Sequence, residues 1–154
     1  MQVGGQHRDR SGQDPHNAVM RTCGECSLCC KLARVDEVEK PSWTWCRHCD
    51  VGHGCRIYHR PERPRICQDF KCRWLVDLQL PDEWRPDLVH LFVTGSDGDD
   101  FIRVVAEDLS YGFPVIEYFQ KRGQHVLIAG MNSLIFFQGE GREKPAKLVV
   151  DWIL

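Results

Sequence analysis

The C-terminal half of the chain contains short apolar runs separated by turn residues, a pattern typical of strands joined by tight connections. Residues 88–93 (LVHLFV) and 101–105 (FIRVV) flank the turn-rich stretch 94–99 (TGSDGD). Glycine and aspartate in that stretch favour a chain reversal, so the two runs predict a β-hairpin.

A short helix is predicted after this hairpin. Residues 114–122 (PVIEYFQKR) place Val115, Tyr118 and Phe119 at helical spacing, and Gly123 follows as a stop signal. The apolar positions fall on one face of the predicted helix, which is the face we expect to pack against the strands.

Two further strands are predicted at 124–129 and 133–137, and a last one at 146–153, after the polar loop 139–145. The order hairpin, helix, hairpin predicts a small α+β unit. Nothing in this half suggests a named catalytic motif.

Composition divides the chain into three segments. Residues 1–20 are polar and predict a flexible tail, residues 21–80 hold every cysteine together with three prolines, and residues 81–154 hold no cysteine. The fold class expected is therefore α+β, with a small irregular, metal-stabilised cysteine-rich module joined to the β-hairpin/helix/β-hairpin unit.

Overall composition is that of an ordinary globular protein, with 42% hydrophobic and 27% charged residues. No apolar run approaches the roughly 20 residues that a membrane-spanning helix needs. The first twenty residues lack the apolar stretch of a secretory signal, so we expect a cytoplasmic protein and no membrane partner.

The nine cysteines are the most informative feature of the chain. A reducing cytosol does not maintain stabilising disulfides, and nine is an odd number, so metal ligation is the favoured interpretation. Zinc or iron is the expected cofactor, and an iron–sulfur cluster is one form that iron would take. The candidate ligands are Cys23, Cys26, Cys29, Cys30, Cys46, Cys49, Cys55, Cys67 and Cys72.

The first cysteine group, residues 23–30 (CGECSLCC), is compatible with two conformations. In a tight turn, Cys-x-x-Cys points two sulfurs toward one tetrahedral ion while backbone amides donate to them. In a helix, the step of about 100° per residue groups Cys23, Cys26 and Cys30 within an arc of about 60°. The helix would point Cys29 about 100° away from Cys30, which predicts different roles for these two neighbours.

The second group, residues 45–49 (WCRHC), repeats the Cys-x-x-Cys spacing and leads through glycines to Cys55. His48 and His53 lie within this stretch. Because thiolates are plentiful here, we expect the two histidines to lie at the surface or to hydrogen bond to ligands rather than to bind the metal.

The third group begins with two prolines, Pro61 and Pro64, which stiffen the approach to Cys67. The residues that follow are rich in aromatic side chains. We expect Phe70, Trp74 and Leu75 to form an apolar cover, since dry surroundings control a metal's access to solvent.

Together these spacings resemble those of the CxxCxxCC cysteine-cluster family of bacterial proteins, described as zinc- or iron-chelating domains. Residues 23–30 match the signature itself, residues 55–58 match Cys-x-Ile-Tyr, and residues 63–74 match Arg-Pro-x-x-Cys-x-x-Phe-x-Cys-x-Trp. The resemblance covers about a third of the chain and implies metal binding. Cys46 and Cys49 look like an addition shared by a subgroup of the family.

The charge pattern bears on possible partners. Residues 21–73 carry a net charge of +4, and residues 74–154 carry −6. Arginines and lysines near metal-bound thiolates offset their negative charge, which explains the basic segment without nucleic acid. A pI near 6.4 also disfavours nucleic acid as the partner.

Three functions remain open from the sequence. The first is a metal-binding module that chelates zinc or iron and presents a surface to a protein partner. The second is an iron–sulfur protein with a redox or catalytic role. The third is a nucleic-acid-binding zinc module that uses the arginines of 56–73, with Trp43, Trp45 and Tyr58 for stacking. The sequence assigns no enzymatic reaction.

Overall fold

The computed structural model describes residues 20–144, which form a mixed α+β structure, as predicted. It contains two small sheets, and the one within the cysteine segment was not predicted. The tail expected before Met20 and the strand expected at 146–153 lie outside these residues. The helices are α1 (Leu28–Leu32), α2 (Arg65–Asp69), α3 (Arg73–Val76), α4 (Pro86–Val89) and α5 (Phe113–Gln120). The strands are β1 (Cys49–Asp50), β2 (Gly54–Cys55), β3 (Leu91–Thr94), β4 (Phe101–Ala106), β5 (His125–Gly130) and β6 (Ser133–Phe137). Single 3₁₀ turns lie at Asp36–Val38, Asp82–Trp84 and Leu109–Gly112.

The larger sheet has the order β3-β4-β5-β6 and contains the two predicted hairpins. β3 pairs antiparallel with β4, and β5 pairs antiparallel with β6. Between the hairpins, β4 and β5 pair in parallel, from Phe101 opposite His125 to Val105 opposite Ala129. Parallel neighbours need a crossover connection, and α5 provides it.

Apolar side chains cover both faces of this sheet. One face packs against α5, and the other face packs against α1 of the cysteine segment. The first cluster includes Leu91, Val93, Ile102, Val104, Val126 and Ile128 with Val115, Ile116 and Phe119 of α5. The second joins Phe92 and Val105 of the sheet to Leu28 and Leu32 of α1. The cysteine segment is therefore built directly onto the sheet.

The prediction that the first strand begins at Leu88 is wrong. Pro86 occupies the start of helix α4, where its fixed φ favours a helical turn. His90 then adopts φ +54°, which ends the helix, and the strand starts at Leu91. The sequence pattern does not reveal this helical turn, because the apolar residues of the turn continue without a break into the strand.

The predicted helix at 114–122 is confirmed with shifted ends. It runs over Phe113–Gln120 and buries Val115 and Phe119 as expected. A turn through Gly123, at φ +72°, closes it and leads into β5.

The Arg21 side chain, near the start of the described residues, hydrogen bonds to α3 and to the residues that follow it. Its guanidinium donates to the carbonyls of Trp74 (2.7 Å) and Asp77 (2.8 Å) through Nη1. Through Nη2 it donates to Leu80 O (2.5 Å) and Asp82 Oδ1 (2.7 Å), and it lies 4.6 Å from the Trp74 ring centroid. Trp74 itself is buried in the cluster around α5, so the prediction that it covers the metal site is wrong.

No helix within residues 20–144 is long and apolar enough to cross a bilayer.

Candidate metal centre

Eight of the nine cysteines line a single cavity of about 130 Å³. All nine are free thiols, and each is partly buried. Cys49 is absent from the lining, but its thiol hydrogen bonds to that of Cys30. The eight lining residues are Cys23, Cys26, Cys29, Cys30, Cys46, Cys55, Cys67 and Cys72. The fold therefore brings the three sequence groups together from positions up to 49 residues apart.

The first group begins with a turn and not with a helix. Cys26 N–H donates to Cys23 O over 2.8 Å, and Gly24 takes φ +50° between them. Helix α1 starts only at Leu28, so the helical conformation considered for 23–30 is wrong. The turn is favoured because Gly24 adopts a positive φ that other residues rarely take.

The second group is bonded to the first through its backbone. Cys46 N–H donates to Cys30 O over 2.9 Å. Within the second group, Cys49 N–H donates to Cys46 O over 3.0 Å. The following hairpin places Cys49 directly opposite Cys55. A side chain at Gly54 would approach Gly24 O to 2.8 Å, so a glycine is required for the hairpin to reach the first turn.

The third group places Cys67 in the middle of the short helix α2 and Cys72 directly before α3. Pro64 precedes α2, and Cys67 N–H donates to Pro64 O over 3.0 Å. Cys72 precedes α3, and its carbonyl accepts from Leu75 N–H over 3.0 Å. The fixed φ of Pro64 thus helps to set the position where α2 begins, as the sequence suggests.

Burial raises the pKa of most of the clustered thiols. Desolvation raises the pKa of Cys26 to about 12 and those of Cys67 and Cys72 to about 11. Desolvation likewise raises the pKa values of Cys23 and Cys49. These thiols stay protonated at neutral pH unless a positive charge lies nearby, and a bound metal ion provides such a charge.

The pKa values of Cys29 and Cys30 are shifted in opposite directions. A hydrogen bond from the Cys30 thiol lowers the pKa of Cys29, assisted by the positive charge of Arg63. The same hydrogen bond raises the pKa of Cys30, since losing that proton would break it. Cys29 is therefore the thiol of this pair that ionises first.

Arg63 and Tyr58 place hydrogen-bond donors at the cavity wall. The Tyr58 hydroxyl donates to Cys23 Sγ over 3.8 Å, and the Arg63 guanidinium stacks 4.0 Å from the Tyr58 ring centroid. Arg63 also donates to the carbonyl of Cys67. Its buried Nε–H has no hydrogen-bond acceptor, and neither has the buried Nε1–H of Trp43. Buried donors without acceptors are rare, and metal-bound thiolates accept such N–H groups. The residues present therefore fit a metal–thiolate group.

Lys40 is a buried cation at the same cavity, 5% exposed. Its ammonium donates to Lys31 O and Pro41 O, both over 3.0 Å, and to the carbonyl of Ala33, which caps α1. Burial lowers its pKa, while nearby thiols favour its charged form. Sequence reasoning misses Lys40, because no motif places it beside cysteines that are distant along the chain.

The histidines separate into two positions. His48 lines the cavity, whereas His53 is exposed and lies away from it. His48 is therefore the histidine available to the site, either as a ligand or as a hydrogen-bonding neighbour.

The thiols share a cavity without converging on one point. Within residues 20–144, no group of three or more Cys, His, Asp or Glu side chains is arranged to hold a metal ion. A tetrahedral zinc ion requires sulfurs about 2.3 Å from the metal. Coordination therefore requires the thiols to move closer together than they stand here.

Several residues of the nucleic-acid alternative have internal contacts. Tyr58 and Arg63 stack on each other at the cavity, and Trp43 packs beside α1. Arg73 is 9% exposed and pairs with Asp77 at 2.8 Å. These side chains are engaged within the fold, whereas Arg56, Arg60 and Arg65 are exposed.

No family model, curated protein or solved structure matches this chain. The resemblance of its cysteine spacing to the CxxCxxCC family stays a prediction.

Proposed function

We propose that this protein binds zinc or iron through its clustered cysteines, and that the metal organises residues 21–80. The observation that carries the proposal is the one cavity lined by eight thiols. Soft thiolate ligands select zinc and iron over magnesium and calcium, which prefer oxygen. Such a role fits a reducing compartment such as the cytoplasm, since all nine cysteines are free.

Two further features support the proposal. The acceptor-less Nε–H of Arg63 and Nε1–H of Trp43 match the hydrogen-bonding needs of anionic sulfur. Lys40 and Arg63 add positive charge at the cavity, which offsets part of the negative charge that several thiolates carry around a divalent ion.

A second candidate is an iron–sulfur cluster with a redox role in the same cavity. It is favoured by the apolar side chains of Phe70, Leu75 and Phe92 that line the cavity beside the thiols. Burial and limited solvent access are among the features that set cluster potentials.

The surface near the cavity is the place where a protein partner would bind under this proposal. Trp45 is 39% exposed and Ile66 is 53% exposed, and both flank cysteines. Large apolar side chains beside a structural metal site are suited to partner recognition.

The test is purification without oxygen, followed by visible absorbance and metal content per chain. Colourless protein loaded with zinc supports the structural metal module and contradicts the iron–sulfur candidate. Brown protein that contains iron and acid-labile sulfide supports the second candidate. Absence of both metals, with Cys26→Ser and Cys67→Ser folding as the parent does, would contradict metal binding altogether.

A further inference from the structure

A short loop that holds no cysteine is hydrogen bonded to all three cysteine groups. This loop, residues 35–40, is closed by its two ends, because Val35 N–H donates to Lys40 O (2.9 Å) and Lys40 N–H donates to Val35 O (3.0 Å). A 3₁₀ turn over Asp36–Val38 and a positive φ of 52° at Glu39 complete the reversal. Residues 35–40 are named the clamp loop.

The first cysteine group is held to the clamp loop through the end of α1. An α-helix leaves its last carbonyls without acceptor partners inside the helix. At the end of α1, the carbonyls of Lys31 and Ala33 accept from the ammonium of Lys40. Because α1 contains Cys29 and Cys30, this cap fixes the helix that carries both thiols.

The second cysteine group is held to the clamp loop through Arg47. The Nη2 of its guanidinium donates to Val38 O over 2.9 Å. Arg47 lies between Cys46 and Cys49, so this hydrogen bond holds the second group against the loop.

The third cysteine group is held to the clamp loop through the start of α2. The first N–H groups of a helix have no acceptor inside the helix, and the residue before α2 is Pro64, whose side chain cannot accept. The carboxylate of Glu37 supplies the acceptors. Arg65 N–H donates to Glu37 Oε2 over 3.0 Å, and Ile66 N–H donates to Glu37 Oε1 over 3.2 Å. Glu37 therefore caps α2 from 28 residues away.

We propose that Glu37 is a positioning residue for the metal centre, and that it acts by fixing Cys67. Cys67 follows directly after the two amides that Glu37 accepts from, so the cap sets the direction of the helical turn that carries this thiol. The same loop is bonded to the first and second groups, so the cap aligns the third group with them. This inference rests on the proposed function, because Cys67 is a metal ligand only if the cluster binds metal.

The first test measures the zinc affinity of the full chain by competition with a chromophoric chelator. Glu37→Ala should weaken zinc binding by roughly 2- to 30-fold, the range that loss of a helix N-cap spans. Glu37→Gln keeps an acceptor oxygen and should recover most of the affinity. Asp36→Ala is the matched control, because it removes the same charge from the same turn, at a side chain that is 79% exposed. Equal affinity in the Glu37→Ala and Asp36→Ala variants would overturn the assignment.

Alkylation in excess zinc separates positioning from general destabilisation. Local opening of α2 exposes Cys67 to iodoacetamide, whereas general loss of zinc or of structure exposes every ligand thiol. The tryptic peptides 66–71 and 35–47 each contain one cysteine, Cys67 and Cys46, so mass spectrometry reads the two rates separately. Glu37→Ala should accelerate alkylation of Cys67 and leave that of Cys46 at its original rate. Equal acceleration of both thiols would overturn the positioning role.

Hydrogen exchange of the unsubstituted zinc-loaded protein tests the contact even if a variant fails to fold. The amides of Arg65 and Ile66 should exchange slowly, because both donate to Glu37. Fast exchange at both amides in a protein that binds zinc would overturn this inference and leave the proposed function intact. An unsubstituted chain that binds no zinc would contradict the zinc form of the proposed function, and this inference with it.

Discussion

The sheet unit and the cysteine module are held together by different forces. The sheet has strands of four to six residues, backbone pairing in every strand and buried apolar side chains on both faces. The module over 21–80 has helices of four or five residues and two strands of two residues. Elements this short do not fold alone, since isolated helices below about 12–15 residues are marginal in water. The short elements of the module therefore depend on contacts outside themselves, among them the packing of α1 against the sheet.

The largest expected effect is that of metal removal on the module alone. A chelator should abolish hydrogen-exchange protection at the turn amides of Cys26 and Cys46, while amides of β4 and β5 stay protected. The reason is that metal binding supplies folding free energy to small metal-stabilised segments. Amide-resolved hydrogen exchange measures it. Equal loss of protection in both regions would show that the two regions unfold as one unit.

The next effect concerns the contact between the two regions. Phe92 is 1% exposed and packs against α1 and against Phe70, with ring centroids 5.4 Å apart. Phe92→Ala should lower the free energy of unfolding by about 3–5 kcal/mol, measured by urea denaturation. Leu134→Ala, at a position 40% exposed on β6, serves as the control and should change it by far less. Similar losses in the two variants would contradict the packing described.

A smaller effect is expected at the cavity wall. Arg63→Met keeps much of the side-chain volume but removes the charge and the buried Nε–H. The variant should bind metal roughly 10–100-fold more weakly, as loss of hydrogen-bonding partners around metal ligands typically does. Chelator competition measures it, and Arg65→Met is the control, because its side chain is 88% exposed and does not line the cavity. Equal affinity in the Arg63 and Arg65 variants would show that Arg63 does not contribute to the site.

The smallest effect lies in the sheet and depends on pH. Burial lowers the pKa of His125, whose Nδ1 accepts from Gly139 N–H over 3.0 Å. Below the unfolded value of about 6.5, the unfolded chain gains a proton that the folded chain does not, so stability falls as pH decreases. His125→Asn keeps an acceptor and should flatten this slope, by at most about 1.4 kcal/mol per pH unit. Equal slopes from pH 7 to 5, measured by urea denaturation, would contradict the buried neutral imidazole.

Much of the sheet could be predicted from the sequence because its signals are local. Short apolar runs bounded by turn residues place β4, β5 and β6 to within one residue, and apolar spacing with Gly123 locates α5 to within two residues. The helical turn at 86–89 escapes prediction because proline sets it at the edge of an apolar run. Local pattern therefore predicts elements better than it predicts where they begin.

The candidate site is less predictable because it depends on contacts between distant segments. The sequence supplies the ligand types, but not that Cys23 and Cys67 line the same cavity. Lys40 reaches the cavity only through the folding of the chain around α1. Trp74 lies in the sheet core instead of at the cavity. Tertiary packing determines which thiols lie together. The spacing of the cysteines along the chain does not reveal that packing.

The most direct test of the central claim is X-ray absorption at the metal edge of protein purified without oxygen. We expect zinc or iron surrounded mainly by sulfur, at about 2.3 Å. A first shell made mainly of nitrogen or oxygen would contradict the cysteine cluster as the metal site.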